Sequence, residues 1–211
     1  MSFIIRRLNK SFDSLEVFKE FNIAFPENRV TCILGPSGCG KTTLLNIISG
    51  TVKPDSGEFS GLAGKRISYI YQEPRLLPWK TVIGNIEFVL KDVYPKRERK
   101  EQANRFMETV GLVEFAGFYP GQLSGGMKQR VAIARAFAYP SDILLMDEPF
   151  KSIDMELRES LVREFKNLWA ADQRTVILVT HDREEALSAG HEIYILTGPP
   201  AALAERVIVT E

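Results

Sequence analysis

Residues 30–45 read Val30-Thr31-Cys32-Ile33-Leu34-Gly35-Pro36-Ser37-Gly38-Cys39-Gly40-Lys41-Thr42-Thr43-Leu44-Leu45. Val30 to Leu34 is a buried-strand pattern, and it ends at a glycine. From Lys41 to Ser49 the apolar Leu44, Leu45 and Ile48 recur at helical spacing, and Gly50 supplies a stop. Between strand and helix, Gly35 to Thr42 fits G-x-x-x-x-G-K-[ST] in the context that motif requires. The turn before the strand, Glu27-Asn28-Arg29, carries an Asn, a residue that tolerates positive φ.

The spacing has a physical reason. Glycines let the backbone fold around phosphate oxygens without Cβ clashes, so several N–H groups converge on them. The helix N-terminus adds the positive end of its dipole. Lys41 is expected to reach the β- and γ-phosphates and the Thr42 hydroxyl to bind Mg²⁺. A carboxylate completing the magnesium site should end a buried strand, and Ile143-Leu144-Leu145-Met146-Asp147-Glu148 supplies two. Asp147 would hold the metal, directly or through water. Glu148 is placed to act as general base on the attacking water, the alternative being a solvent-facing strand-end residue.

Working outward, Ile67 to Tyr71 and Asp142 to Met146 read as further strands, as do Thr175 to Thr180 and Ile193 to Leu196. Helical patterns alternate with them. Asp154 to Ala170 aligns Leu157, Leu161, Phe165 and Leu168 on one face, and Arg183 to Ala189 is a short helix. This alternation predicts an α/β fold. From Trp79 to Ala138 the pattern is helical, with a charged run at Lys96 to Glu101 that reads as a solvated helix start. The expected organisation is one domain over residues 1–211, a nucleotide-binding α/β core of 1–79 and 139–211 interrupted by a helical lobe at 80–138.

Composition narrows the partners. Lys plus Arg equals Asp plus Glu at 27 each, which gives no electrostatic case for a nucleic acid or an anionic membrane. The 2 cysteines, Cys32 and Cys39, flank one strand end and read as reduced thiols of a cytosolic protein. Cys39, inside the glycine loop, is either an oxidisable thiol or a small filler. No apolar run approaches the roughly 20 residues of a membrane span, and the N-terminal charges follow the short apolar stretch, unlike a signal peptide. Any membrane role must come through a partner.

Leu123-Ser124-Gly125-Gly126-Met127-Lys128-Gln129-Arg130 then narrows the class, because it resembles the signature motif of ABC ATPases, lying just before the Asp147 strand. Ser124 reads as a helix N-cap followed by two glycines that expose N–H groups, repeating the logic of the phosphate cradle. The resemblance covers almost the whole chain. It implies a P-loop NTPase core of the RecA-like type with an antiparallel β subdomain and an inserted helical subdomain. It also implies ATP and Mg²⁺ as cofactors, held by Phe12 stacked on adenine, by Gly35 to Thr43 and by Asp147. In the family, Gln72 touches Mg²⁺ and the attacking water, His181 contacts the γ-phosphate, and Asp154 matches the D-loop aspartate. Ser124, Gly125 and Gly126 bind the ATP held by a second copy, which implies a homodimer. Catalysis would fall to Glu148, His181, Gln72 and Lys41.

Tyr71-Gln72-Glu73-Pro74-Arg75-Leu76-Leu77-Pro78-Trp79 resembles the Q-loop of importers for nitrate, sulfonate, taurine and related solutes. That implies a chain on the cytoplasmic face of the membrane, bound to permease subunits and served by an extracytoplasmic solute-binding protein. Leu76, Leu77 and Trp79 either offer an apolar patch to the permease or pack under the helical lobe. Three departures stand out: Met127 replaces the usual glutamine, Phe12 the commoner tyrosine, and Lys151-Ser152-Ile153 stands where small residues are preferred. A non-transport role in cell division or scaffolding is the alternative within the family. An ordinary kinase or GTPase is disfavoured, because it has no use for the Ser124 loop and no Asn-Lys-x-Asp follows Asp147. Core elements run to within a few residues of Glu211, so no C-terminal regulatory domain is expected.

Overall fold

The computed structural model describes residues 2–151 and 153–209, and the fold divides into two compact units. The first takes the described residues up to Tyr69, Asp142–Glu148 and those from Gln173 onward. It is built from two sheets. In the smaller, β1 (Ser2–Phe12) and β2 (Leu15–Pro26) form an antiparallel hairpin, and β4 (Ser56–Ser60) pairs with the other edge of β1. Inward residues of β1 are Phe3, Ile5 and Leu8, so the two-residue alternation slips once, at a register shift where Arg7 has φ 48°. Phe18, Phe21, Ile23 and Phe25 of β2 show the same slip, and Glu20 has φ 46°.

The larger sheet runs β5 (Ile67–Ile70), β6 (Ile143–Asp147), β7 (Thr175–Thr180), β3 (Val30–Leu34), β8 (Glu192–Thr197) and β9 (Ala202–Ile208). β3 is parallel to both β7 and β8, β6 is parallel to β7, and β9 closes the edge antiparallel to β8. All five residues of β6 and all six of β7 are buried, the signature of strands covered on both faces. Helix α1 (Lys41–Ile48) buries Leu44, Leu45, Ile47 and Ile48 in the same core as Phe18, Phe25 and Ile33, and α6 (Arg183–Ala189) follows β7. Tyr194 of β8 joins the two sheets, its hydroxyl donating to the Ala24 carbonyl at 2.8 Å. Burial, then neighbouring Glu192, pushes that phenol up to about 12. Asn28 takes the positive φ expected of it, 58°.

The second unit comprises Ile70–Ser141 and Pro149–Asp172. Its helices are α2 (Val82–Val89), α3 (Lys96–Thr109), α4 (Gly125–Ala138) and α5 (Met155–Asp172), with short 3-10 turns at Val113–Phe115 and Pro120–Gln122. Thr81 caps α2, accepting the Gly84 N–H at 3.2 Å. The charged run from Lys96 forms the first turns of α3, which buries only Ala103 and Met107. α5 belongs to this unit because its apolar face meets α4 there. Phe165 is fully buried with its ring 6.0 Å from Phe137 and 6.5 Å from Phe150. Ser152 of the Lys151-Ser152-Ile153 run lies outside the described residues. Among the described residues no helix is long and apolar enough to cross a membrane.

Candidate functional site

The loop from Gly35 to Gly40 leaves the C-terminal end of β3, the place where open α/β sheets hold ligands. Gly40 is the N-cap of α1 with φ 100°, and a Cβ there would meet Val17 Cγ1 at 2.8 Å, so only glycine satisfies both backbone and packing. Gly38 has φ 82° but open space around it, while Gly35 is excluded from growing by the Leu196 carbonyl 2.7 Å away. Pro36 and Ser37 are exposed at the loop rim and Cys39 is fully buried beneath it. Cys39 and Cys32 are both free thiols, and burial pushes the Cys32 thiol well up. α1 has neither a side-chain cap nor an acidic residue in its first turn, which suits an anion at its N-terminus. Lys41 is 6% exposed, and its ammonium donates to the carbonyls of Gly35 at 2.8 Å and Pro36 at 2.9 Å. A buried cation satisfied by two loop carbonyls matches a site built to take negative charge.

Strand register delivers the remaining groups. Leu34 of β3 pairs with Thr180 of β7, and Asp147 of β6 pairs with Val179, so three strand ends finish together. Thr42 Oγ1 therefore donates to Asp147 Oδ1 at 3.1 Å. A hydroxyl and a buried carboxylate side by side are hard oxygen ligands of the kind Mg²⁺ takes together with phosphate oxygens. No cluster of three or more protein metal ligands occurs among the described residues, and a magnesium ion shared with a nucleotide needs none. Glu148, one residue on, has φ 44°, and its N–H donates to the Val179 carbonyl at 2.8 Å. Its side chain is 13% exposed, with Oε1 3.5 Å from Nδ1 of the half-exposed His181.

Phe12, Leu15, Val17, Ser37, Gly38, Gly40, Lys41, Thr42, Thr43 and Glu148 line an open cleft of about 280 Å³. Phe12 ends β1 and is 45% exposed, so it is not a core residue. Lys10 places its ammonium 5.0 Å from the Phe12 ring centroid and 2.7 Å from Asp55 Oδ1, and Asp55 Oδ2 accepts the Ser11 N–H at 2.7 Å. The Lys10 hydrogen bond, then that of Ser11, holds the Asp55 carboxyl below its ordinary value. Sequence reasoning missed Leu15, Val17, Lys10 and Asp55. The Leu15-x-Val17 spacing places both on one face of a strand and was the available signal. Asp55 carries none.

The other expected site residues belong to the second unit. Gln72 and Glu73 are exposed at the start of a loop that Arg135 of α4 secures, donating to the carbonyls of Pro74 at 2.9 Å and Arg75 at 3.0 Å. Asn85, fully buried, holds the far end by accepting the Leu77 N–H at 2.7 Å and donating to the Lys80 and Thr81 carbonyls. Between these anchors Trp79 is 70% exposed, which removes it from the core; Leu76 and Leu77 are half-buried. Ser124 caps α4 as its sequence indicates, its Oγ accepting the Met127 N–H at 3.3 Å. Ser124 and Gly125 are exposed and Gly126 is buried. Asp154 is exposed and caps the start of α5, its Oδ1 accepting the Leu157 N–H at 3.0 Å.

A glycine-lined anion cradle at the end of a central parallel strand, with a strand-end carboxylate pair beside it, defines a P-loop nucleoside-triphosphatase. The comparisons give the particular branch. The family model for ABC transporter matches residues 18–151. The chain is 36% identical over 217 residues to the nitrate import ATP-binding protein of Synechocystis sp., covering 97% of this chain and 81% of that one. It is 43% identical over 179 residues to the taurine import ATP-binding protein of Chromobacterium violaceum, covering 82% and 69%. A dimeric post-hydrolysis state of an ATP-binding cassette, bound to ADP and Pi, superimposes with a TM-score of 0.85 at 30% identity over 99% of both chains. The chain belongs to the ABC transporter family, as an ATP-binding and ATP-hydrolysing cassette.

Proposed function

We propose that this cassette powers import of a small solute through a membrane permease that it meets on the cytoplasmic side, its two compact units acting as one ABC ATPase domain. The observation that carries the site assignment is the 3.1 Å contact of Thr42 with Asp147 beside the buried Lys41. Import, rather than another use of ATP, is supported by the nitrate and taurine import relatives and by the resemblance of Gln72 to Trp79 to the Q-loop of such importers. The solute is a small anion or zwitterion of the nitrate, sulfonate or taurine type, delivered to the permease by an extracytoplasmic binding protein. Trp79 and its half-buried neighbours Leu76 and Leu77 give the permease an apolar anchor on a loop fixed at both ends.

The residues divide the work as follows. Phe12 with Leu15 and Val17 forms the apolar wall for the adenine, Phe12 stacking on it. N–H groups of the loop and of the first turn of α1, Thr43 included, bind phosphate oxygens, and Lys41 exchanges its two carbonyl partners for them. Thr42 and Asp147 would hold Mg²⁺, which supplies charge neutralisation when bound, and Gln72 contributes to its surroundings. Glu148 takes a proton from the attacking water, and His181, 3.5 Å from it, steadies its carboxylate and contacts the terminal phosphate. Two copies bind head to tail, so that Ser124, Gly125 and Gly126 of each reach the nucleotide of the other. Closing and reopening of that pair drives the permease between its two states.

Lys41→Ala tests the assignment. Turnover of ATP should fall to background while the chain stays folded by circular dichroism. Full ATPase activity in that variant would sink it.

A further inference from the structure

Gly125 and Gly126 look interchangeable in the sequence, and the structure separates them. A Cβ on Gly125 would have no heavy atom within 4 Å. A Cβ on Gly126 would lie 2.4 Å from Cδ2 of Leu157, 3.3 Å from its Cγ and 3.5 Å from its Cδ1. The isobutyl group of Leu157 thus occupies the volume that any side chain at 126 needs, and both methyl branches point at the same spot. A 2.4 Å approach between carbons is far inside van der Waals contact, so one of the two must move.

Leu157 is also bound from its other end. Its backbone N–H donates to Asp154 Oδ1 at 3.0 Å, the bond that caps α5. One residue therefore holds the glycine-bearing first turn of α4 through its side chain and the aspartate cap of α5 through its backbone. Further along, the Arg130 guanidinium of α4 meets the Glu164 carboxylate of α5 at 2.8 Å and reaches Ser160 Oγ at 3.4 Å, and Phe137 meets Phe165. The two helices are tied along their length, and Leu157 is the tie at the loop end.

We infer that Leu157 is a positioning residue. It locks the Ser124–Gly126 loop to the Asp154 loop, so that each copy presents both loops to its partner as one surface. The inference rests on the reading that the Ser124 loop completes the partner's nucleotide site, and it adds a reason for the second glycine that has nothing to do with the nucleotide. The missing side chain at Gly126 admits Leu157 while its backbone stays in the nucleotide-facing turn; at Gly125 the space is open.

The test compares Gly126→Ala, Leu157→Ala, the double variant and Ser124→Ala in the full chain, measuring Mg-ATP turnover at dimerising concentrations and nucleotide affinity of the monomer separately. Gly126→Ala should lower kcat by about tenfold to a hundredfold, the scale of a misplaced catalytic group, with monomer affinity unchanged. Leu157→Ala alone should lower kcat by less than Gly126→Ala, wild-type turnover there overturning the positioning role, and the double variant should match Leu157→Ala, because the alanine then fits the vacated space. A double variant slower than Leu157→Ala alone would overturn the inference, since the alanine would then act on the nucleotide and not through Leu157. Full turnover in Ser124→Ala would overturn the composite-site reading instead. If Gly126→Ala fails to fold, the double variant should melt above it, and a double variant equally unfolded again overturns the lock.

Discussion

Thr42 Oγ1 lies 3.1 Å from Asp147 Oδ1 although 105 residues separate them in the chain. The contact exists because β3 and β6 flank β7 in parallel with registers that end level, which brings the first turn of α1 against the end of β6. In the proposed function these two oxygens would hold Mg²⁺ together, so each should affect the metal dependence of turnover.

Thr42→Ala should raise the Mg²⁺ concentration for half-maximal ATPase about tenfold, a loss of about 1.4 kcal/mol in metal affinity. Binding of ATP in EDTA should be unchanged, because the backbone cradle is intact. A magnesium titration of turnover checks this, and coincident wild-type and variant curves would remove Thr42 from the metal site.

Glu148→Gln keeps the shape of the side chain and removes its basicity. Turnover should drop by about 10²- to 10⁴-fold, the usual contribution of a general base. ATP should still bind, and the closed pair should accumulate because it can no longer discharge. Light scattering on a column equilibrated in Mg-ATP reads this directly; a variant that remains monomeric when saturated argues against the two-copy mechanism.

Trp79 is 70% exposed while Asn85 and Arg135 fix the loop that carries it. Trp79→Glu should therefore leave folding and basal ATPase intact and abolish solute-stimulated ATPase in the reconstituted transporter. Retained stimulation would take Trp79 out of the permease interface.

Burial raises the Glu164 carboxyl above its ordinary 4.5, against the opposing pull of Arg130 and Ser160. The folded state then binds a proton more tightly than the unfolded state, so this group's contribution to stability is fullest below 4.5 and is lost as pH rises through the higher folded value. Glu164→Gln should flatten the dependence of melting temperature on pH from 4.5 upward relative to wild type. Parallel curves would show that the Arg130 pair compensates fully for burial.

Much of the fold was legible where local pattern and burial agree. Val30–Leu34, Thr175–Thr180 and Arg183–Ala189 fall where their residues indicate, and β6 is displaced by a single residue. The hairpin of β1 and β2 was not legible as strands residue by residue. Irregular register at Arg7 and Glu20, both at positive φ, shifts the inward face by one position, and a period-two reading loses the pattern there. The grouping of α5 with α4 was equally hidden, since the apolar face of α5 states only that it is covered, and the Phe165 partners Phe137 and Phe150 come from distant positions.

The phosphate cradle, the strand-end carboxylates and the Ser124 cap were determined by the sequence itself. Each depends on residues within a few positions of one another, whose backbone preferences and hydrogen-bonding groups act locally. Tertiary structure alone decided that Thr42 meets Asp147, that Asp55 and Lys10 brace Phe12, and that Gly126 yields its space to Leu157. Those contacts follow from strand register and helix packing, which are set by the fit of whole faces and by no single residue.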